Sequence, residues 1–114
     1  MAKVFIAEDE ENIRKLLEVW VRMTGHELVL EAATFEEAMD MVKLAHDKEV
    51  DLAIVDGTLK VSKDGELIAK ALRENVPGIK VISHSAHKVS FGDLNLQKPI
   101  SSGEFRQALS KLGF

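Results

Sequence analysis

The chain has 114 residues, 46% of them hydrophobic and 30% charged, with no cysteine and a formal net charge of −4. One domain of this length and balance buries a shared core, which excludes disorder, a disulfide framework and a thiolate metal site. Scattered Lys and Arg exclude a basic nucleic-acid surface, and an acidic amino terminus without any apolar run near ~20 residues predicts a cytoplasmic protein with no membrane contact.

Along the chain, KVFIA (3–7) reads as a strand. Ile13, Leu16, Leu17, Trp20 and Val21 then recur in steps of three and four, a helical stripe on which Trp20 is core, and Gly25 stands where that helix should stop. ELVLEA (27–32) is a second strand. Phe35, Ala38, Met39, Val42 and Ala45 mark a second helix, opened by the capping-box pair Thr34 and Glu37. DLAIVD (51–56), a helix carrying Leu67, Ile68, Ala71 and Leu72, KVIS (80–83) and LNLQ (94–97) follow. A last helix carries Phe105, Ala108, Leu109 and Leu112 behind the capping pair Ser101 and Glu104. Strands alternating with helices predict one α/β domain over 1–114, a flavodoxin-like doubly wound five-stranded parallel sheet of order 2-1-3-4-5.

Such sheets bind ligands beyond the carboxyl ends of their strands. Here those ends carry Glu8-Asp9-Glu10, Asp56, Ser83-His84-Ser85 and Lys98-Pro99. Order 2-1-3-4-5 makes the first and third strands neighbours, so Glu8, Asp9 and Asp56 crowd together. A divalent cation relieves their repulsion, and an all-oxygen set with room for water suits Mg²⁺. Asp56 can then act as a carboxylate nucleophile toward phosphorus, with the Lys98 ammonium and the Ser85 hydroxyl on the phosphoryl oxygens. Glu10 and Glu11 read as favouring the first helix's amino terminus. His84 and His87 lack the further ligands of a zinc site and read as core or solvated, though His87, two positions after Ser85, is placed to influence water at the site.

These residues resemble the response-regulator receiver domain from Lys3 to about Leu112. The matching motifs are EDEENIRKLL (8–17), EAATFEEAM (31–39), Asp56 closing an apolar strand, Asp64-Gly65, Ser85-Ala86 and Lys98-Pro99. The resemblance implies Asp9 as a direct Mg²⁺ ligand and Glu8 as a second-sphere or water-mediated one. Asp56 becomes both ligand and phosphoacceptor, Thr58 lends its backbone carbonyl, and the Lys98-Pro99 peptide is cis. It further implies a histidine kinase or histidine phosphotransfer protein as donor, autodephosphorylation by water, and a downstream output protein or domain that the signal must reach.

The sequence departs from that family in three places. Only His87 to Asp93 separate Ala86 from Leu94, where the family has its fourth helix. Seven helical residues span about 10 Å, and retracing a five-residue strand takes about 17 Å, so a loop-like crossover is expected, with the fourth helix missing or reduced. Asn95 replaces the aromatic residue three positions before the Lys, leaving Phe91 as the nearby aromatic. The loop from Asp56 to Gly65 is about one residue longer than usual, with Lys60 or Val61 where a Pro is common. Two other readings compete. A pseudo-receiver would bind partners without phosphorylation. IVDGTL (54–59) resembles half of the signature of haloacid-dehalogenase-type phosphatases, but Ile54 occupies their nucleophile position.

Overall fold

The computed structural model describes residues 1–59 and 63–114; the Lys60 and Val61 comparison lies outside the described residues. Among the described residues nine elements follow in order: β1 (Lys3–Ala7), α1 (Glu11–Met23), β2 (Glu27–Ala32), α2 (Phe35–Ala45), β3 (Leu52–Asp56), α3 (Asp64–Asn75), β4 (Lys80–Ser85), β5 (Leu94–Gln97) and α4 (Ser102–Lys111). The sheet is parallel throughout, in the order β2-β1-β3-β4-β5.

Local chemistry explains the boundaries. Thr34 and Ser101 each close a reciprocal capping box, with Glu37 and Glu104, which satisfies the amides of the cap residue and of the third helical residue at the start of α2 and α4. Helix α1 has no side-chain cap at Glu10. It ends before Gly25, whose φ of +84° is left-handed backbone that a side chain would strain. Asp51 lies just outside β3, where its carboxylate accepts the Lys3 N–H at 2.9 Å. Strand β4 runs two residues past the expected Ser83, because Ser83, His84 and Ser85 are buried and stay in the ladder beside β3 and β5.

Apolar side chains alternate between two cores. Phe5, Ala7, Ala53, Val55 and Val81 face α2 and α3, where Ala38, Val42, Ile68 and Leu72 pack. Val4, Ile6, Leu52, Ile54 and Ile82 face α1 and α4, against Leu17, Val21, Phe105 and Leu109. Trp20 packs at the edge of this second core, its ring 5.7 Å from that of Phe105.

No helix stands between β4 and β5; residues 86–93 form a strap. Because β5 starts level with Ile82, the return from Ser85 is about 10 Å at ~3.3 Å per residue, shorter than the length argument assumed. What holds the strap in a non-helical path is a set of ties. Asp93 N–H donates to the Val81 carbonyl, and its carboxylate accepts the Val81 N–H, both at 2.7 Å. Arg73 of α3 donates to the Phe91 carbonyl at 2.7 Å and pairs with Asp93 at 3.4 Å.

Candidate functional site

Period-two alternation decides which side chains meet. Ile6 is level with Ile54, and Ile54 with Ile82. Two residues further along those strands stand Glu8, Asp56 and His84. The rows that form the α1/α4 core therefore end in two carboxyls and an imidazole. All three side chains are buried, Glu8 completely.

Glu8 Oε2 accepts the Glu10 N–H at 3.1 Å. Its Oε1 lies 2.9 Å from Lys98 Nζ and 3.4 Å from His84 Nδ1. Among the described residues neither Oε1 nor His84 Nδ1 makes an aligned hydrogen bond, and Lys98 holds Glu8 as an ion pair. Lys98 Nζ also donates to Asp56 Oδ2 at 3.3 Å, and Asp56 Oδ1 accepts the Thr58 N–H at 3.1 Å. Carboxylate oxygens of Glu8, Asp9 and Asp56 lie within 4.8 Å of one another. Asp9 is exposed, which gives the cluster an open, aqueous side.

Charge and burial pull these groups apart. Burial alone would raise Glu8, yet His84, Lys98 and the Glu10 amide outweigh it and hold this carboxyl well below the usual range. Asp56 is pushed up to about 7 by burial and by the neighbouring Glu8 charge, only partly offset by the Thr58 amide and Lys98. Burial opposes the charge on Lys98, but the two carboxylates prevail and raise its pKa. The cluster thus holds more negative charge than one lysine can balance. Three hard oxygen ligands with a solvent-facing side fit a small divalent cation such as Mg²⁺.

On the opposite face, Ser85 Oγ accepts the His87 N–H at 3.2 Å. A Cβ placed on Gly57 would stand 2.7 Å from that oxygen, so the hydroxyl lies against the backbone one residue past Asp56. Ser83 is committed elsewhere, donating to Asn95 Oδ1 at 2.6 Å. Asn95 also accepts the Gly92 N–H at 2.9 Å and donates to the Gly92 carbonyl at 3.2 Å. Asn95, which replaces the aromatic residue of the resembled family, is a clasp between β4 and the strap. Gly65 passes close under Asp56; a Cβ there would come within 2.3 Å of the Asp56 carbonyl oxygen and 2.9 Å of the Phe91 ring.

Each residue expected at the strand ends therefore stands there: Glu8, Asp9, Asp56 and Lys98 meet in one cluster, Thr58 enters through its amide, and Ser85 flanks Gly57. The Lys98-Pro99 bond is cis. His87 is exposed. His84, read as a core or solvated residue, is buried; what the sequence reading missed is its place beside Glu8.

Comparisons with known proteins agree with this architecture. The response regulator receiver domain model matches residues 4–110, and the chain belongs to that family. A CheY-like receiver domain protein from Methanospirillum hungatei superposes with a TM-score of 0.83 at 18% identity, covering 98% of this chain and 94% of that one. A BeF3-activated DrrB receiver domain gives 0.79 at 16% identity, over 98% and 97%. The receiver domain of the Erythrobacter litoralis PhyR response regulator gives 0.80 at 25% identity, over 97% and 88%. No curated protein matches the sequence itself. Among the described residues no helix is long and apolar enough to cross a membrane.

Proposed function

We propose that this receiver domain accepts a phosphoryl group on Asp56 from a phosphohistidine, in a Mg²⁺-dependent reaction within a cytoplasmic two-component phosphorelay. An Asp56 oxygen attacks phosphorus, the P–N bond breaks, and the donor imidazole leaves with the electron pair and takes up a proton. Lys98 and Ser85 contact the transferred group, Lys98 as a charge and Ser85 as a hydrogen-bond donor. Asp9, Asp56 and the Thr58 carbonyl would hold Mg²⁺, with Glu8 behind them or bridged by water. When bound, the ion offsets the charge of the carboxylates and of the phosphoryl oxygens. Water attack on phosphorus later frees the Asp56 carboxylate and inorganic phosphate, resetting the domain. The donor is a histidine kinase or histidine phosphotransfer protein, and a downstream output protein or domain receives the signal.

The observation that carries this reading is the convergence of Glu8, Asp9 and Asp56 within 4.8 Å, with Lys98 Nζ 3.3 Å from Asp56. Intact-mass measurement after incubation with Mg²⁺ and acetyl phosphate tests it. One phosphoryl adduct, lost in Asp56→Asn, is expected. No adduct with acetyl phosphate or with phosphohistidine donors would overturn the reading in favour of a pseudo-receiver, the alternative to which Asn95 and the strap lend weight.

A further inference from the structure

We infer that His84 is a positioning residue for the proposed phosphorylation, taking over Glu8 when Lys98 turns to the phosphoryl group. The inference rests on the receiver reading above. Lys98 Nζ is shared, 2.9 Å from Glu8 Oε1 and 3.3 Å from Asp56 Oδ2. A phosphoryl group on Asp56 adds oxygens that compete for the same ammonium. Every step that Lys98 takes toward them removes the cation from Glu8 Oε1, an oxygen on a fully buried side chain. Leaving a buried carboxylate oxygen bare is costly, and the cost opposes the phosphorylated state.

His84 is the donor beside that oxygen. Its Nδ1 lies 3.4 Å from Glu8 Oε1, and among the described residues both buried atoms lack an aligned hydrogen bond. A neutral ring with its proton on Nδ1 suffices, and a small rotation closes the gap to a charge-assisted bond. The ring has a place to rotate, since it lines a crevice with Lys98, Pro99, Leu17 and Trp20. Glu8 meanwhile stays anchored by the Glu10 amide on its other oxygen. His84 is the ladder neighbour of Asp56, but its ring nitrogen is directed at Glu8; it acts through Glu8 on the freedom of Lys98.

The role separates two affinities. Binding of Mg²⁺ alone leaves Lys98 with Glu8 and should not depend on His84. Binding of beryllofluoride, a phosphoryl mimic, draws Lys98 away and should. Calorimetric titration of the full chain is therefore expected to give His84→Leu an unchanged Mg²⁺ affinity but a beryllofluoride affinity lowered on the order of tenfold. His84→Asn, which keeps an amide donor near the Nδ1 position, should recover part of the loss. Nitrogen-15 NMR of the wild type should show the His84 Nδ1 proton becoming more protected from exchange when beryllofluoride binds. A His84→Leu protein with wild-type beryllofluoride affinity overturns the inference. So does an equal loss of both affinities, or a folded His84→Asn protein that recovers nothing. A wild type that binds no beryllofluoride overturns the receiver reading first, and this inference with it.

Discussion

Replacing Asp56 by Asn should stabilise the metal-free protein at neutral pH and change little near pH 4. Burial and the Glu8 charge raise the Asp56 carboxyl from 3.8 to about 7. Between those values the folded chain holds a proton that the unfolded chain has lost, so stability falls as pH rises through this window. At about 1.36 kcal/mol per pKa unit the loss has a ceiling of about 4 kcal/mol. Asn keeps an oxygen for the Thr58 amide but gives up the Lys98 contact at 3.3 Å, which returns part of that gain. A net stabilisation on the order of 1–3 kcal/mol remains, or roughly 4–12 °C in Tm for a domain of this size. Circular-dichroism melts in a chelator from pH 4 to pH 8 measure it. Added Mg²⁺ should stabilise the wild type more than the variant and narrow the gap. An Asp56→Asn protein that melts at or below the wild type at pH 8 in chelator would refute the reasoning, because Asp56 would then not carry a burial and repulsion penalty.

Three further substitutions test other parts of the structure. Gly65→Ala drives a Cβ to 2.3 Å from the Asp56 carbonyl oxygen and 2.7 Å from Gly57 Cα; backbone cannot yield cheaply, so a loss of at least ~2 kcal/mol is expected in chemical denaturation. Asn95→Ala leaves the Ser83 hydroxyl without its acceptor and frees Gly92, which should cost about 1–2 kcal/mol and raise amide exchange across residues 86–93. Lys98→Ala strips the cation from two buried carboxylates; about 3 kcal/mol should be lost without metal, and Mg²⁺ titration in a thermal melt should restore a larger share of stability than in the wild type.

Much of the site was legible because it needs only strand ends and strand order. Asp56 closes an apolar run and Lys98 follows the alternating strand LNLQ, and the order 2-1-3-4-5 brings Asp56 beside Glu8 and Asp9 whatever the details of packing. The His84 contact was hidden for a different reason. A histidine between two serines reads as a polar strand end, and only the burial of all three shows that the strand continues through them. Asn95 was read for what it lacks, an aromatic ring, whereas its contribution is three hydrogen bonds to Ser83 and Gly92. Those depend on the close approach of Gly92 to β4, where a Cβ would sit 2.7 Å from the Ser83 nitrogen. Side-chain periodicity carries no information about such contacts. The loop-like crossover was foreseen, but from a return of about 17 Å that is in fact about 10 Å; its path follows from Asp93 and Arg73, whose partners are remote in sequence.

The strap also bears on how the chain acquires its fold. Val81 and Asp93, which tie β4 to the start of β5, are 12 residues apart, whereas Lys3 and Asp51, which join β1 to β3, are 48 apart. A fourfold shorter loop lowers the closure entropy by about 1.2 kcal/mol. The carboxyl-terminal edge of the sheet can therefore pair while the amino-terminal strands are still searching, and mutations in the strap should register in the folding rate as well as in stability.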